Sequence, residues 1–441
     1  MKLKSKQLFF IKKSLVAILA TTLLTNFANA DEKLNDDLYD KFILGKSFFR
    51  IPWVEAPSAT TARDGLGPLF NANTCISCHP NNQKGILFNK NKNLSRSLIT
   101  KLSIKSDESK EHKEALQKDG FVAEPNYGGQ IAINAIHGVN FEAKTKLEFE
   151  KIQIIFPDGE IDELLKPKFT LENLQYGELH KNTNLTFRLA PTLNGIGYIN
   201  AIKDEDILKN QDEFDENKDG ISGRANYVYS LITKKLELGK FSYKASIATL
   251  KEQIANAASN DMGLTTTLYA NENCTKTQKL CNEAPKAKDA IDITDERLDA
   301  IEFYLKNIKK VENKNFNQSQ GYKIFKTIGC NNCHIESFTT KEGKTIYPFS
   351  DFLLHDMGED LKDEVSQFQA EGNEWRTTPL WGLSLYEKLN KGGARLLHDG
   401  RARDFQEAIL WHGGEALKSK KSYMNLRKKD RALLLKFLQE V

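Results

Sequence analysis

The chain has 441 residues, 40% hydrophobic and 28% charged, with 27 Gly and 11 Pro. This composition excludes a collagen-like, low-complexity or wholly disordered protein, and the length predicts two or three domains. The formal charge is +4, but five lysines without acidic neighbours lie within the first 13 residues: Lys2, Lys4, Lys6, Lys12 and Lys13. Without them 58 basic residues face 59 acidic ones, so the charge gives no support to nucleic-acid binding.

The N-terminal segment has the three parts of a secretory signal peptide. After the lysines comes an apolar run over 15–24, and Ala28-Asn29-Ala30 is a small-x-small cleavage site. We therefore predict a signal peptide over 1–30 and export to an oxidising compartment, the periplasm. An uncleaved anchor is the alternative, but the run is short, and no stretch of the mature chain approaches the roughly 20 apolar residues of a membrane span.

Two cysteine pairs are each followed at once by a histidine, as Cys75-Ile-Ser-Cys78-His79 and Cys330-Asn-Asn-Cys333-His334. CxxCH is the attachment signature of c-type haem, because two thiols three positions apart can add to the two vinyl groups while the adjacent His ligates the iron. Two copies predict two covalently bound haem c groups. A four-cysteine zinc site and a thioredoxin-like redox pair are the alternatives.

The segments between the two motifs are less typical of haem proteins. Residues 101–118 are rich in Lys and Glu and predict a solvated helix, whereas 146–157 and 169–189 alternate β-branched and polar residues and predict short strands or hairpins. Cys274 and Cys281 have no adjacent His, so a local disulfide is expected, with redox-active thiols as the alternative.

A stretch from Asp215 to Ile221 matches the first half of an EF-hand calcium loop. Asp215, Asn217 and Asp219 supply alternate side-chain oxygens, and the Ile221 carbonyl would supply the seventh position. The twelfth position is Asn226 instead of the usual Glu. Calcium is therefore a candidate ligand, with an acidic surface turn as the alternative.

Helical patterns surround the second motif. Residues 295–311 repeat apolar positions at intervals of three and four after a Thr294 N-cap, 317–327 form a short helix before the motif, and 430–441 close the chain. A helix before CxxCH and a closing helix are typical of a cytochrome c domain. We predict a mainly α fold of two cytochrome c-like haem domains: 31–312, enlarged by insertions with short β segments, and 313–441.

Several long motifs resemble the di-haem oxidoreductase family often labelled "thiol oxidoreductase". They include Asp64-Gly-Leu-Gly-Pro-Leu-Phe-Asn, Asp219-Gly-Ile-Ser-Gly-Arg-Ala-Asn and Leu397-His-Asp-Gly-Arg-Ala-Arg. More distantly, the chain is similar to bacterial di-haem cytochrome c peroxidases. The resemblance implies an enzyme whose C-terminal haem takes electrons from a small redox protein. It passes them to a peroxidatic N-terminal haem, which reduces a small oxidant such as hydrogen peroxide.

The same resemblance implies candidate ligands and catalytic groups. In the peroxidase-like segment an axial Met lies fourteen residues after a His-x-Gly turn. Here that turn is His398-Asp-Gly400, and His412 stands at the fourteenth position. We predict His412 as the second ligand of the His334 haem, with Met357 and His355 as rivals.

The resemblance to the peroxidases also implies that Gln130 and Glu142 form part of the distal pocket of the N-terminal haem, where Glu142 would be a general acid–base catalyst. An exposed loop role for Glu142, or His137 as an iron ligand, is the alternative. Arg376, Arg401 and Arg403 are candidate partners for haem propionates. Two other functions stay open: a non-catalytic electron-transfer cytochrome with two six-coordinate haems, and an oxidoreductase acting on thiols or protein side chains.

Overall fold

The computed structural model describes residues 36–308, 316, 319–385 and 395–441. The predicted signal peptide, 1–30, lies outside these residues. Within them, no helix is both long and apolar enough to cross a membrane. The predicted helices before and after the second motif are confirmed within the described residues, although each is shorter than the sequence pattern.

The described helices, in chain order, are α1 Asp36–Arg50, α2 Cys75–Cys78, α3 Lys110–Lys118, α4 Ile196–Ala201, α5 Asp204–Leu208, α6 Leu250–Met262, α7 Lys279–Asn282, α8 Asp295–Asn307, α9 Gln320–Thr327, α10 Phe405–Trp411, α11 Leu417–Met424 and α12 Lys428–Leu438. The described strands are β1 Leu69–Phe70, β2 Leu98–Ile104, β3 Asn134–Ala135, β4 Lys144–Ile155, β5 Ile161–Glu172, β6 Thr183–Leu189, β7 Tyr227–Tyr229, β8 Leu236–Leu238, β9 Phe338–Thr339, β10 Thr345–Ile346, β11 Leu354–Asp356 and β12 Glu374–Arg376. Short 3₁₀ helices lie at Pro80–Asn82, Cys330–Asn332 and Gly414–Ala416.

The expected mainly α fold of two cytochrome c-like domains is wrong. The described residues are 30% helix and 20% strand, and the strands pair into small two-stranded antiparallel sheets. The helix predicted over 101–118 is wrong in its first part, because β2 pairs there with β6. Leu98, Thr100 and Leu102 are buried at every second position, a period that favours a strand. Helix α3 begins only after its Ser109 N-cap.

The longest strands form a single hairpin. β4 and β5 pair along their whole length, and Gly159 at φ +85° makes the turn. The strand predicted over 146–157 corresponds to β4, whereas β5 begins at Ile161, before the predicted segment 169–189. Beside the turn, the buried ring of Phe156 contacts Tyr423 edge to face, and Arg431 donates a hydrogen bond to Asp158 at 2.8 Å. The hairpin from the first half of the chain is therefore fastened to the C-terminal helices.

Two helix crossings require glycine. A Cβ atom on Gly45 of α1 would lie 1.9 Å from the Ala300 carbonyl oxygen of α8. A Cβ atom on Gly321 of α9 would lie 2.2 Å from the Leu433 carbonyl oxygen of α12. Only glycine lets the backbones approach so closely. Because α9 leads into the Cys330 motif, its crossing with α12 determines where that motif starts.

Two main hydrophobic cores each combine residues from both halves of the chain. The first core contains Phe49 and Trp381, and the second contains Phe156 and Phe437. The predicted boundary between 312 and 313 lies outside the described residues. The division into domains stays a prediction.

Candidate functional site

The first CxxCH motif forms one helical turn on the wall of a cavity. The Thr74 hydroxyl caps α2 by accepting a hydrogen bond from the Ser77 amide at 3.1 Å. Cys75, Cys78 and His79 line this N-terminal cavity, whose volume is about 570 Å³. The cap aligns the turn so that both thiols and the imidazole lie on the same wall.

The second motif lines a different cavity. Gly329, at φ +85°, directs the chain from the end of α9 into the 3₁₀ turn of the motif. Cys330, Cys333 and His334 line this C-terminal cavity of about 250 Å³. Because the two cysteine pairs lie in separate cavities, the geometry does not support a shared four-cysteine zinc site.

Both motif histidines are oriented by a backbone carbonyl. His79 Nδ1–H donates to the Pro191 oxygen at 2.9 Å, and His334 Nδ1–H donates to the Phe349 oxygen at 2.8 Å. Burial lowers the pKa of each imidazole to about 4, so both are neutral at pH 7. The Nδ1 hydrogen bonds leave each Nε2 lone pair available to a metal.

The motif cysteines are protonated thiols at neutral pH. Burial raises the pKa of Cys75 and of Cys330 to about 12, and it also raises the pKa of Cys78 and Cys333. Reactive redox cysteines are thiolates with a lowered pKa. The environment of these four cysteines therefore does not favour a redox-active thiol pair.

His355, one rival iron ligand, is held between two carboxylates. Its Nε2–H donates to Asp351 at 2.8 Å and its Nδ1–H donates to Glu415 at 2.6 Å. Burial opposes the charge, but Asp351 raises the pKa of His355 well above its usual value. Both ring nitrogens carry protons, so neither offers a lone pair. Cys333 lies 3.6 Å from Nδ1 in the same cluster.

His412 lies at the end of α10 and lines the C-terminal cavity with His334. Its Nδ1–H donates to the Ala408 carbonyl at 2.6 Å, which leaves Nε2 free. Met357 also lines this cavity and packs against the second core. The structure therefore brings the two histidines to one cavity, and the assignment of His412 as a ligand stays a prediction.

Two hydrogen-bonded polar side chains, Gln130 and Asp261, line the N-terminal cavity. Only Gln130 was predicted from the sequence. Gln130 Nε2 donates to Asp261 Oδ1 at 2.7 Å, and both side chains line the cavity. Burial raises the pKa of Asp261. Lys101 lines the same cavity, where burial lowers its pKa to about 8. No local signal joins positions 130 and 261, because only the tertiary fold brings β2, the segment after it and the end of α6 together.

Glu142 is absent from the described residues that line this cavity. Its carboxylate accepts hydrogen bonds from the Ala132 amide at 2.6 Å and from the Gln278 side chain at 2.5 Å. Gln278 lies in the loop closed by Cys274 and Cys281, whose predicted disulfide is confirmed. Glu142 therefore fastens that loop. Its catalytic role stays a prediction from the sequence that the geometry does not favour.

The predicted calcium loop is an exposed turn held by its own backbone. Asp215 accepts from the Gly220 amide at 3.2 Å, Asn217 from the Asp219 amide at 2.8 Å, and Asp219 from the Ile221 amide at 2.9 Å. Asx turns make such contacts with or without an ion. Calcium binding by these four residues stays a prediction.

The two cavities share a wall that includes Pro191, Tyr243, Arg376 and Trp381. Arg376 is buried and donates to the Ser242 carbonyl at 2.9 Å, and none of the described residues places a carboxylate within ion-pair distance. Burial lowers its pKa to about 10. Arg376 is therefore a buried cation at the boundary of both cavities, and it has no ion-pair partner among the described residues.

A second buried cation lines the C-terminal cavity beside this wall. Lys84 Nζ donates to the Tyr243 hydroxyl at 3.0 Å and to the Leu397 carbonyl at 2.5 Å, and burial lowers its pKa to about 7. The other two arginines predicted to meet propionates already have partners, because Arg401 pairs with Asp399 and Arg403 pairs with Glu407. Lys84, which the sequence analysis missed, thus joins Arg376 as a cation suited to an incoming carboxylate.

A family model described as "Di-haem oxidoreductase, putative peroxidase" matches residues 17–441. The chain belongs to this family. No curated protein and no solved structure matches this di-haem oxidoreductase. The match confirms the family resemblance seen in the sequence and makes haem the cofactor.

The residues of this di-haem oxidoreductase fit two such groups. Each cavity offers two thiols and one neutral imidazole with a free Nε2. Arg376 and Lys84 supply buried positive charge with which haem propionates could pair.

Proposed function

We propose that the protein is an exported di-haem c-type oxidoreductase that reduces a small oxidant such as hydrogen peroxide. The observation that carries the proposal is that the two CxxCH motifs line two cavities with a common wall. Redox groups on the two sides of one wall are suited to exchanging electrons. Export through the predicted signal peptide to the periplasm agrees with the Cys274–Cys281 disulfide.

In this proposal the haems are attached by thioether bonds to the four motif cysteines. His79 and His334 ligate the two irons, and each is oriented through Nδ1 by a carbonyl. His412, with its free Nε2, is the second ligand in the C-terminal cavity. An iron with two imidazole ligands has no open position, which suits electron transfer better than catalysis.

The N-terminal cavity is the proposed place for the oxidant. Among the described residues that line it, His79 is the sole histidine, and Met262 there packs into the first core. The cavity is also the larger of the two. Electrons would thus enter through the C-terminal haem, from a small redox protein, and leave at the N-terminal haem.

Haem supplies the electron chemistry. Converting one hydrogen peroxide to two water molecules consumes two electrons and two protons, so the protein must deliver protons. Asp261, with its raised pKa, retains a proton at a pH where an exposed carboxyl has lost it, and Gln130 fixes its orientation. Asp261 is the proposed proton donor to the departing oxygen, and Gln130 is its positioning residue.

The test is haem content together with peroxide reactivity. Pyridine haemochrome analysis of acid–acetone-extracted protein should give two haems per chain, and Cys75→Ala with Cys78→Ala should remove one. Reduced protein should be reoxidised by hydrogen peroxide, and a high-spin component should be present. One haem per chain would contradict the attachment. Two low-spin haems without peroxide reactivity would favour a non-catalytic electron carrier.

A further inference from the structure

One wall of the N-terminal cavity is a face of the sheet formed by β2 and β6. Ile99 and Lys101, two positions apart on β2, both line the cavity, and so does Arg188 of β6. Arg188 is the register partner of Ile99, and Thr186 is the register partner of Lys101. Because paired residues of antiparallel strands point to the same side of a sheet, all four side chains lie on one face.

Three polar groups on this face have no partner among the described residues. The Lys101 ammonium forms no hydrogen bond and no ion pair with them. Arg188 Nε and Thr186 Oγ1 are buried and form no hydrogen bond with them either. Thr186 lies directly opposite Lys101, and Arg188 lies diagonally from it, a spacing that long side chains can bridge. The three groups can therefore bind one ligand together.

The positive charge behind this face exceeds the negative charge. Asp363 is the ion-pair partner of both Arg188, at 3.3 Å, and Lys244, at 3.2 Å. Lys101 adds a third cation, for which the described residues provide no carboxylate within ion-pair distance. Since a buried charge without a partner is costly, this region favours an anion from outside the polypeptide.

The acidic residues of the cavity do not neutralise Lys101. Asp261 acts on Lys101 through its charge, but the two form no ion pair, and burial raises the pKa of Asp261 so that it retains its proton more readily than an exposed carboxyl. Asp119, Glu252 and Glu272 also line the cavity, and none of them forms an ion pair with Lys101. The ammonium is therefore available to a ligand.

This face adjoins the proposed proton donor. Gln130 forms an antiparallel bridge with Lys101 and donates a hydrogen bond to Asp261 at 2.7 Å. The Asp261 carbonyl accepts the amide of Ala72, three residues before Cys75, at 3.1 Å. Haem c carries its propionates on the edge of the macrocycle opposite its thioethers. A position near Cys75 therefore suits the carboxylate of a separate molecule better than a propionate.

The N-terminal cavity also has space for a larger molecule than hydrogen peroxide. Its volume is about 570 Å³, whereas that of the C-terminal cavity is about 250 Å³. In the proposed function each cavity holds one haem, and the two haems are equal in size. The N-terminal cavity therefore has space left for an organic molecule beside its haem.

We propose that Lys101, Arg188 and Thr186 form a carboxylate-binding site and that the oxidant is an organic hydroperoxide bearing a carboxylate. The proposal rests on the proposed function and names its substrate class. Reduction breaks the O–O bond, consumes two electrons and two protons, and yields an alcohol and one water molecule. The electrons are those that enter through the C-terminal haem, Asp261 supplies one proton and the solvent supplies the other. Charge-assisted hydrogen bonds hold the carboxylate beside Asp261.

The experiment compares an acid with its own ester. para-Carboxycumene hydroperoxide and its methyl ester share the peroxide group and nearly the same shape, but only the acid is charged at pH 7. Stopped flow measures the second-order rate constant with which each reoxidises the reduced, haem-loaded protein. Isothermal titration calorimetry measures how the product, para-carboxycumyl alcohol, and its methyl ester bind to the oxidised protein without turnover. In the wild type we expect about a tenfold preference for the acid in both measurements.

The variants test which residue causes the preference. Lys101→Met should remove it, Lys101→Arg should retain most of it, and Thr186→Val should reduce it by a smaller factor than Lys101→Met. Lys118→Met is the matched control, because Lys118 lines the same cavity but is exposed. The control loses the same charge and should keep the preference of the wild type.

Equal rates and equal binding of acid and ester in the wild type would overturn the proposal, and a site filled by a haem propionate would give this result. An equal loss of preference in Lys118→Met and Lys101→Met would overturn it too. Haem content of each variant is checked first, and the wild-type comparison decides if a variant fails to assemble. If neither hydrogen peroxide nor the hydroperoxides reoxidise the protein, the proposed function fails, whereas the calorimetry still decides whether the carboxylate site exists.

Discussion

Replacing Lys84 by Met removes a buried cation from the C-terminal cavity, next to the wall that both cavities share. Lys84 donates to Tyr243 and to the Leu397 carbonyl, and no described carboxylate lies within ion-pair distance. Burial lowers its pKa from the usual 10.5 to about 7. Keeping the ammonium charged there costs about 5 kcal/mol unless an anion from outside the polypeptide lies beside it.

We expect that anion to be a haem propionate. Lys84→Met then leaves a buried propionate without its partner and destabilises the haem-loaded protein by about 3–5 kcal/mol. If no propionate lies there, the same substitution removes an unpaired buried cation and stabilises the protein by up to about 5 kcal/mol. The sign of the change in unfolding free energy decides between the two arrangements.

Guanidinium denaturation of the haem-loaded protein at pH 7 measures this change. Lys90→Met, in an exposed turn, is the matched control and should stay within about 0.5 kcal/mol of wild type. The pH dependence gives a second measurement. If Lys84 is unpaired, its pKa is lowered in the folded state only, and between pH 7 and 10.5 the unfolded chain binds more protons than the folded protein. The free energy of unfolding of the wild type then increases as the pH rises over that range. Either that rise or a stabilised Lys84→Met protein would refute propionate pairing.

Three further outcomes are expected. His412→Ala should convert one of the two haems to high spin in low-temperature electron paramagnetic resonance, and an unaltered low-spin signal would transfer the ligand role to Met357. Asp261→Asn should slow peroxide reduction about 100-fold and remove the decline in rate as the pH rises through the raised pKa of Asp261. Glu142→Gln should only lower the thermal midpoint. A larger loss of the stopped-flow rate in Glu142→Gln than in Asp261→Asn would favour Glu142 as the catalyst. If the loop from Asp215 to Ile221 binds calcium, EDTA should lower the thermal midpoint and added calcium should restore it, whereas an unchanged melt without metal in mass spectrometry would contradict binding.

Short-range patterns in the sequence were enough for several features of the structure. The helix that begins at Asp295 follows an N-cap whose side chain accepts an amide of its own first turn, and such a bond depends on a few neighbouring residues. The Cys274–Cys281 pair is separated by only seven positions. The CxxCH motifs likewise carry their chemistry within five residues. These features could be predicted because their physical causes are local.

The fold class could not be predicted in the same way. The short helices near the second motif resembled those of a cytochrome c domain, but they account for only part of the chain. The charged composition of 101–118 predicts a helix, but the structure has strand β2 at its start, where Leu98, Thr100 and Leu102 are buried at every second position. That burial exists only because β6 pairs with β2.

The sequence by itself determined the family, the two CxxCH motifs and the disulfide. The tertiary structure alone decided which polar groups meet in the cavities. It removed His355 from the candidate ligands by placing it between Asp351 and Glu415, and it set Asp261 against Gln130. Among the described residues, it left Lys84 and Arg376 without a carboxylate within ion-pair distance. The physical reason is that burial, pKa and ion pairing depend on groups far apart in the chain, and only the packed fold makes them neighbours.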